Sequence, residues 1–556
     1  MSVVTGLAPL VGRTFDVCVI GAGPVGLAAA DRMARKGLSV LVLESGSHGP
    51  AQGDRLFARS QIVDPTRHEV MSLVVTQALG GASWLWGGRC MPLDPVDFSP
   101  RGWLPQSGWP VSYADVNSYV ADAAAFIGCG SGDFERPLAN SLTYARAEIS
   151  LDHLERWCDE PRLAVALASR PLHEGVTVAL DATAVDLHLD DWGESISAIS
   201  VFSACATEKF DRAKTFVVAG GGIGSARLLL QLQAREPQLF GGPDGPLGRY
   251  YMGHLSGKIA SIRFSDPRTA KLFGYETEGS GVYRRRFTLS PGVMASDALP
   301  NVIFYPDNPR LSDPSHCRGL LSALFLALSM PVLGRRFMSE AIRRMQMTQN
   351  PRYLQHVRNL LLDGPRAAAQ VAGVLWQKFG MKRQKPFVFL HSKSGDYPLH
   401  YHGEHAPSAQ SRVTLNNDTD ACGMRGLSID LRFGAEDGEA IARAHAALDR
   451  VLRASGLGVL NFDAPREEQA AAVLAQARDG FHQMGLTRMG VSASDGVVDS
   501  DCKVFGLGNL YVASSGIFRT GGQANPTLPA MAFGLRLADH LVTRLQREAF
   551  SARSAV

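Results

Sequence analysis

The sequence predicts an α/β protein with two domains, one built on a parallel sheet and the other on an antiparallel sheet with helices. Two strand–glycine–helix units, at 15–45 and 214–232, predict the parallel sheet. Alternating β-prone segments at 282–304 and 385–435 predict the antiparallel sheet. The 556 residues exceed what one hydrophobic core usually organises, which favours two domains.

The first unit, residues 15–45, reads FDVCVIGAGPVGLAAADRMARKGLSVLVLES. An apolar strand leads into Gly21, Gly23 and Gly26 in G-x-G-x-x-G spacing, a helix follows, and a second strand ends at Glu44. In such a unit the glycines make a tight turn, admit a pyrophosphate and let the helix pack on the strand, while the carboxylate accepts hydrogen bonds from a ribose. The unit predicts a Rossmann-like, dinucleotide-binding domain. A glycine-rich turn in another kind of βαβ unit is the alternative.

A second glycine-rich stretch, QALGGASWLWGGRC at 77–90, is unlike an ordinary surface loop. Its four glycines allow the backbone to press against a flat group, and Trp84 and Trp86 supply rigid apolar walls. The stretch predicts a further part of the cofactor site. A buried glycine turn under two core tryptophans is the alternative.

Composition and charge disfavour several classes of function. The 56 basic and 53 acidic residues create no overall field for nucleic acid, so no nucleic-acid partner is expected. No apolar run reaches the ~18 residues of a membrane span, and the N-terminus lacks a signal-peptide pattern. The eight cysteines form no C-x-x-C pair, so no zinc, iron–sulfur or other metal site is expected. A reduced, cytoplasmic protein is the expectation.

The chain is expected to cross between the two domains more than once. A helix over 113–127, with Ser112 as its N-cap, is predicted at the first crossing. The predicted dinucleotide-binding domain comprises residues 13–92, 170–256 and 478–548. The predicted substrate domain comprises residues 93–169 and 257–477.

An insertion at about 310–385, predicted to be helical, departs from the ordinary composition. Between Arg335 and Lys385 eleven Lys and Arg stand against two acidic residues, directly after an apolar run at 320–333. An apolar helix followed by a basic one is typical of docking on an anionic membrane surface, so one hypothesis is peripheral contact with the inner membrane surface through 320–385. The other is a helical cap over the active site with a solvated basic face.

The C-terminal sixth carries a second constellation of chemical groups. The stretch GFHQMGLTRMG at 480–490 places His482 beside glycines and a basic residue. Asn525 then precedes Pro526 and a long apolar helix that starts near Thr527. Asn is a preferred N-cap and Pro a preferred first helical residue, and the helix N-terminus carries a partial positive charge.

These motifs carry a resemblance to a known family. The stretches VCVIGAGPVGLAAA, ALGGASWLWGG, VVAGGGIGSARLLL, SRVTLNNDTDACGM, HQMGLTRMG and GGQANPTLPAMAFGLRLADHL resemble, in this order, the glucose–methanol–choline (GMC) oxidoreductases, flavin enzymes that oxidise alcohols. The resemblance covers about 15–265 and 385–545. The sequence of the C-terminal motif is most similar to the sugar and polyol dehydrogenase and pyranose oxidase branch. The resemblance implies that the bound dinucleotide is FAD.

By position, the resemblance makes His482 the catalytic base and Asn525 its partner. Alcohol oxidation by flavin removes a hydroxyl proton and sends a hydride from carbon to flavin N5. A neutral imidazole, with an unperturbed pKa of ~6.5, can accept that proton. The amide of Asn525 can donate to the substrate oxygen. Turnover is therefore expected to fall at low pH, where a histidine ring is protonated.

The predicted flavin site combines the two glycine-rich units with the C-terminal motif. Leu85 stands where some relatives attach flavin through a histidine, so the FAD is expected to be non-covalent. Ser514 stands where many relatives carry Asp, which puts one contact in doubt. The predicted cofactor-binding residues are Gly21, Gly23, Pro24, Gly26, Glu44, Ser45, Gly80, Gly81, Ser83, Gly87, Gly88, Ala184, Val185, Ala219, Gly220, Ser225, Ser514, Ser515, Asn525, Pro526 and Thr527.

The substrate that the resemblance implies is a secondary alcohol on a sugar, glycoside or cyclitol. A lipidic or steroidal alcohol is the rival substrate, motivated by 320–385. A non-redox lyase, which keeps the flavin but uses the histidine as a plain acid–base, and a flavin-binding subunit without activity are the rival functions. The electron acceptor is expected to be a separate molecule: oxygen, a quinone or a redox protein.

Overall fold

The computed structural model describes residues 1–50, 56–138, 148–279, 281–330, 334, 351–376, 385–392 and 394–554. The strands are β1 (Ser2–Thr5), β2 (Phe15–Ile20), β3 (Val40–Leu43), β4 (Gln61–Ile62), β5 (Arg89–Cys90), β6 (Ile149–Ser150), β7 (Leu154–Trp157), β8 (Val176–Leu180), β9 (Thr183–Leu189), β10 (Ile196–Ser203), β11 (Ala206–Phe210), β12 (Ala213–Val218), β13 (His254–Phe264), β14 (Glu276–Glu278), β15 (Gly281–Arg285), β16 (Phe287–Leu289), β17 (Val302–Pro306), β18 (Asp396–Glu404), β19 (Arg412–Thr419), β20 (Arg425–Asp430), β21 (Gly458–Phe462) and β22 (Leu510–Val512).

The helices lie between these strands at several points along the chain. They are α1 (Pro24–Arg35), α2 (Met71–Val74), α3 (Pro95–Phe98), α4 (Tyr113–Asn117), α5 (Val120–Ile127), α6 (Leu163–Ala166), α7 (Gly221–Arg235), α8 (Pro291–Ser296), α9 (Gly319–Ser329), α10 (Tyr353–Leu375), α11 (Ala435–Ala454), α12 (Arg466–Gln476) and α13 (Thr527–Ser554).

The parallel sheet has the strand order β1-β8-β3-β2-β12-β22, and every neighbouring pair is parallel. Its central strands are mostly apolar and buried, as is typical of a parallel sheet covered by helices. Helix α1 packs against α13, and Arg32 donates two hydrogen bonds of 2.9 Å to Asp539 across that contact. Four strands end at one edge, at Ile20, Leu43, Val218 and Val512, and the carboxyl edge of such a sheet is where ligands bind.

The second large sheet is antiparallel, in the order β21-β13-β18-β17-β16-β6, as the sequence predicts. Helix α11 packs on α12 and against β21, so one side of the sheet is covered. Strand β13 begins at His254, opposite Glu404 in β18. The two-domain α/β architecture is confirmed, whereas the exact division of the chain between the domains stays a prediction.

Two local predictions differ from the structure. The helix predicted over 113–127 is two helices, and between them the Tyr119 N–H donates to the Val116 carbonyl, three residues back, at 3.0 Å. Ser112 caps the first helix, accepting from the Asp115 N–H at 3.2 Å. Strand β1, which the sequence analysis did not predict, extends the edge of the parallel sheet.

The insertion forms a pair of helices, α9 and α10, with a small core of its own: Leu311, Leu321, Phe325 and Leu328. Polar contacts join the pair, with Asp363 accepting from the Gly319 N–H at 2.9 Å. Helix α10 is kinked at Gly364 before Pro365. Three parts of the insertion predicted to be helical, 331–333, 335–350 and 377–384, lie outside the described residues. Among the described residues no helix has the length and apolar character of a membrane span.

Candidate active site

A cleft, here called the nucleotide cleft, opens at the carboxyl edge of the parallel sheet. Its walls are the ends of β2, β3, β12 and β22 and the first turns of α1, α7 and α13. Sixteen of the residues predicted for the site line it: Gly21, Gly23, Pro24, Glu44, Ser45, Gly81, Ser83, Ala184, Ala219, Gly220, His482, Ser514, Ser515, Asn525, Pro526 and Thr527.

The remaining predicted residues, Gly26, Gly80, Gly87, Gly88, Val185 and Ser225, do not line the cleft. Gly26 has the packing role expected of the third glycine, since a Cβ there would lie 2.2 Å from the Gly21 carbonyl oxygen. Ser225 is fully buried within α7, and its hydroxyl has no hydrogen-bond partner among the described residues. These six positions therefore support the walls.

The cleft also contains residues that the sequence analysis missed. Residues 74–77 and Thr183 form part of its wall, although no spacing motif marks them. Gln483, next to the predicted base, ties two walls together, because it accepts from the Ile223 N–H at 3.1 Å and donates to the Val74 carbonyl at 3.3 Å. The sequence signal that could have identified Gln483 was its position in the GFHQMG stretch, directly after His482.

The turn between β2 and α1 has the geometry that a dinucleotide site needs. Gly21 has φ +117°, and a Cβ there would lie 2.5 Å from the Ala219 carbonyl oxygen. The Glu44 carboxylate accepts from the Ala22 N–H at 3.0 Å and the Gly46 N–H at 2.9 Å, which fixes it beside the turn. With the N-terminus of α1 facing the same cleft, these groups fit the pyrophosphate and ribose of FAD.

Burial raises the pKa of Glu44 to about 7, although the backbone N–H groups of Gly46, Ala22 and Ser45 oppose the shift. The folded, flavin-free protein then holds a proton that the unfolded chain releases near pH ~4.3. We expect its unfolding free energy to fall by about 3 kcal/mol as the pH rises from ~4 to about 7, and to level off above that. Urea unfolding across this range should give a flatter profile for Glu44→Gln. If the unfolding free energy of the wild type and of Glu44→Gln changed equally with pH, the raised pKa of Glu44 would be contradicted.

His482 is half-buried and held in place by Asp479. Its Nδ1 lies 2.9 Å from Asp479 Oδ2, and its backbone N–H donates to Oδ1 at 3.2 Å. The same carboxylate accepts from the N–H groups of His254, Gly480 and Phe481. Burial alone would raise the pKa of Asp479, but the neighbouring His482 imidazole and His254, including its backbone N–H, hold it well below its usual range. Asp479 is therefore a carboxylate throughout the neutral range.

Two further histidines, which the sequence analysis did not single out, surround His482. The His254 ring stacks on His402 at 4.4 Å and meets the His482 ring edge-on at 4.7 Å. Burial and the neighbouring His482 lower the pKa of His254 to about 3, and burial holds that of His402 well below its usual value. Both rings are therefore neutral neighbours. Strands β13 and β18 bring them to the site, a long-range pairing that no local motif signals.

Asn525 lies at the start of α13, which begins at Thr527. An N-cap side chain would accept a hydrogen bond from the first turn, but Asn525 Oδ1 is buried without a partner among the described residues. The side chain is thus free of the capping role, and it lines the same cleft as His482.

The tryptophan stretch contributes through its backbone and through Trp86. Leu85 and Trp86 line the cleft, and the Trp86 indole donates to the Pro161 carbonyl at 2.6 Å. Trp84 instead donates to the Leu79 carbonyl at 2.9 Å and does not line the cleft. A leucine at 85 offers no nucleophile for attaching a flavin.

The fold and the cleft define a class, the FAD-dependent oxidoreductases. Residues 16–252 match the family model described as FAD dependent oxidoreductase. Residues 407–534 match the model described as GMC oxidoreductase. These two matches confirm the predicted resemblance to the GMC oxidoreductases, and the chain is an FAD-dependent alcohol oxidoreductase.

Curated relatives match nearly the whole chain. The 6'''-hydroxyparomomycin C oxidase of Streptomyces lividus is 23% identical over 97% of this chain and 94% of its own. The 2-methyl-1,2-propanediol dehydrogenase of Mycolicibacterium austroafricanum is 22% identical over 95% of both chains. Matches over a quarter of the chain or less include C-glycoside and pyranose oxidases. The solved formate oxidase of Aspergillus oryzae RIB40 shares the fold, with a TM-score of 0.51, 15% identity and coverage of 97% and 99% of the two chains.

Proposed function

We propose that this chain oxidises a secondary alcohol on a sugar, glycoside or cyclitol, with His482 as the base and Asn525 as the group that positions the alcohol. The observation that carries the proposal is the convergence of His482 and Asn525 on the nucleotide cleft, with the imidazole anchored by Asp479. Bound FAD supplies the hydride acceptor. The sugar assignment is supported by the sequence of the C-terminal motif and by the names of the curated relatives.

The contact with Asp479 determines which nitrogen of His482 can act as the base. A carboxylate next to Nδ1 favours a proton on that nitrogen, so Nε2 of the neutral ring keeps its lone pair. Nε2 can accept the hydroxyl proton as the carbon–hydrogen bond breaks, and Asp479 stabilises the imidazolium that forms. The Asn525 amide can donate to the alcohol oxygen, and the N-terminus of α13 favours negative charge nearby.

The Asp479→Asn variant is expected to keep its FAD and to lose turnover by about 10- to 1000-fold, with a smaller effect on KM. The amide occupies the same space but neither enforces the tautomer nor offsets the imidazolium charge. Steady-state kinetics beside the visible flavin spectrum measures both effects. Asp297→Asn, which removes a surface carboxylate paired with Arg450, is the matched control and should behave as wild type. Loss of flavin without a kcat defect in the remaining holoenzyme would assign Asp479 a structural role only.

The substrate class is tested by an anaerobic visible spectrum of the holoenzyme against sugars, glycosides, cyclitols and sterols. Loss of the oxidised flavin band with the first three groups alone supports the proposal. Reduction by sterols alone would replace it with the lipid alternative. A flavin that none of the panel reduces would contradict the sugar assignment and favour the lyase hypothesis. Air reoxidation of the reduced enzyme then separates oxygen from quinone or protein acceptors.

One observation favours the second candidate, oxidation of a lipidic alcohol at a membrane surface. Helix α10 exposes Leu354, Leu361 and Leu362 by 86%, 76% and 74%, with Arg358 exposed between them. Its opposite face buries His356, Asn359 and Ala367 against α9 and the segment before it. An exposed apolar stripe with basic neighbours is typical of helices that lie in a membrane interface. No described residue between 310 and 376 lines the nucleotide cleft, so the cap hypothesis has no support from this part of the chain.

Cosedimentation with vesicles tests this candidate. If α10 docks on membranes, the holoenzyme should bind vesicles containing phosphatidylglycerol better than neutral ones, and added salt should weaken the binding. The triple variant Leu354→Ser, Leu361→Ser, Leu362→Ser should bind at least ~10-fold less tightly, because it removes the apolar contacts. Trp192→Ser, which changes a side chain 85% exposed on another surface, is the control. Equal binding by all three proteins would eliminate membrane docking by this helix.

A further inference from the structure

Three cysteines that are far apart in the sequence meet in the fold and form the cysteine cluster, Cys90, Cys129 and Cys158. Cys90 ends β5, Cys129 follows the last turn of α5, and Cys158 follows β7. The sulfurs of Cys129 and Cys158 are 3.4 Å apart and those of Cys90 and Cys158 are 3.9 Å apart. All three sulfurs lie within 4.8 Å of one another. Cys90 and Cys129 are fully buried, and Cys158 is half-buried.

These distances suit three ligands on one ion. With Zn–S bonds of ~2.3 Å, two thiolates on a tetrahedral ion lie ~3.8 Å apart. Neither histidine nor a carboxylate joins the group of potential ligands in the described residues, so all three donors are soft. Soft thiolate sets select Zn²⁺ and Cu⁺ over harder cations. The partial exposure of Cys158 leaves a path for an ion and, for zinc, for a fourth ligand from solvent.

The surroundings supply charge for a thiolate site. Arg156, a fully buried residue of β7, has one terminal nitrogen without a hydrogen-bond partner among the described residues. Three thiolates leave one negative charge on Zn²⁺ and two on Cu⁺. Arg156, the cross-strand partner of Cys90, also pairs with Glu278 at 2.8 Å, so it offsets part of that charge.

We infer that the cysteine cluster binds one thiophilic cation, Zn²⁺ or Cu⁺, through the sulfurs of Cys90, Cys129 and Cys158. Binding releases the thiol protons to solvent as the metal–sulfur bonds form, and no electron is transferred. The inference is independent of the proposed substrate.

The position of the site indicates what the ion does. The Cys158 N–H donates to the Gly88 carbonyl at 2.9 Å. Gly88 does not line the nucleotide cleft, but Trp86, two residues before it, does. The N–H of the next residue, Asp159, donates to the carbonyl of Gly128, at the end of α5, at 3.1 Å. An ion on the three sulfurs therefore clamps the tryptophan stretch to β7 and α5. We assign it a structural role in holding that wall.

Metal analysis of the purified holoenzyme tests the inference. After growth with added zinc or copper and dialysis against metal-free reducing buffer, we expect about one Zn²⁺ or Cu⁺ per chain, with sulfur scatterers at ~2.3 Å in X-ray absorption. Cys129→Ser should reduce the metal content to background and lower the melting temperature. Cys205→Ser, at an exposed turn between β10 and β11, should leave both unchanged.

Cys129→Ser could fail to fold. The metal content and the X-ray absorption spectrum of the wild-type protein therefore decide by themselves whether the cysteine cluster binds a metal. A metal-free wild-type protein after zinc and copper supplementation would overturn the inference. So would a metal bound through nitrogen and oxygen alone, or a Cys129–Cys158 disulfide in the protein as isolated under reducing conditions. Metal retained by folded Cys129→Ser would also contradict it.

Discussion

Replacing His482 with alanine is expected to lower the rate of flavin reduction by the substrate by about 10²- to 10⁴-fold, the usual contribution of a general base. The alanine cannot accept the hydroxyl proton, and no other described group is placed as His482 is, in the cleft and anchored by a buried carboxylate. His254 and His402 lie close, but both are fully buried and are not among the residues that line the cleft. Anaerobic stopped-flow spectroscopy measures the rate, and the visible spectrum reports FAD content, which should not change.

His188→Ala is the matched control for this variant. That imidazole lies in β9 outside the cleft, 2.7 Å from the Ser200 hydroxyl, and its loss should leave the rate of flavin reduction unchanged. A wild-type rate in His482→Ala would reassign the base. A loss of FAD with a normal rate in the remaining holoenzyme would make His482 a cofactor contact only.

Gly21→Ala is expected to abolish stable FAD binding and to lower the unfolding free energy by about 2–5 kcal/mol. The residue has φ +117°, a backbone conformation that L side chains rarely adopt, and the new Cβ would lie 2.5 Å from the Ala219 carbonyl oxygen. Relieving that contact moves β2 away from the end of β12 and distorts the turn that faces the pyrophosphate. Urea unfolding and the flavin absorbance of the purified protein measure the two effects.

Gly37→Ala separates backbone strain from the contact with Ala219. Gly37 also has a positive φ, of +94°, but no heavy atom lies within 4 Å of a Cβ built there. This variant should lose only ~1–2 kcal/mol and keep its FAD. If both variants bind FAD normally, the Gly21 turn is not the dinucleotide site.

Among the elements, those with a strong local pattern were predictable. The G-x-G-x-x-G unit reads as strand, turn and helix because each residue type there has a local physical reason, and the structure has β2, the Gly21 turn and α1 at those residues. The break at Tyr119 was not predictable, since both halves of 113–127 favour helix and only the packing around them interrupts it. Strand β1 was missed because an edge strand of four residues carries little periodicity.

The same distinction applies to the residues of the candidate site: those in local motifs were predictable, and those brought together by long-range contacts were not. His482 and Asn525 were found because they stand in motifs, and sixteen predicted residues do line one cleft. Asp479 precedes His482 by three residues, yet its role depends on a side-chain contact that the spacing did not reveal. His254 and His402 were invisible, because they join His482 only through the pairing of β13 with β18 across some 150 residues of chain.

By itself the sequence predicted the class of fold, the dinucleotide turn, the FAD and two candidate groups for the reaction centre, because those features depend on residue type at short spacing. Only the tertiary structure decided which groups surround the base, that Asn525 is not used as a cap, and that Cys90, Cys129 and Cys158 share one place. The cysteines are separated by 39 and 29 residues, so no local pattern relates them. Their proximity follows from strand pairing and helix packing, which are long-range interactions.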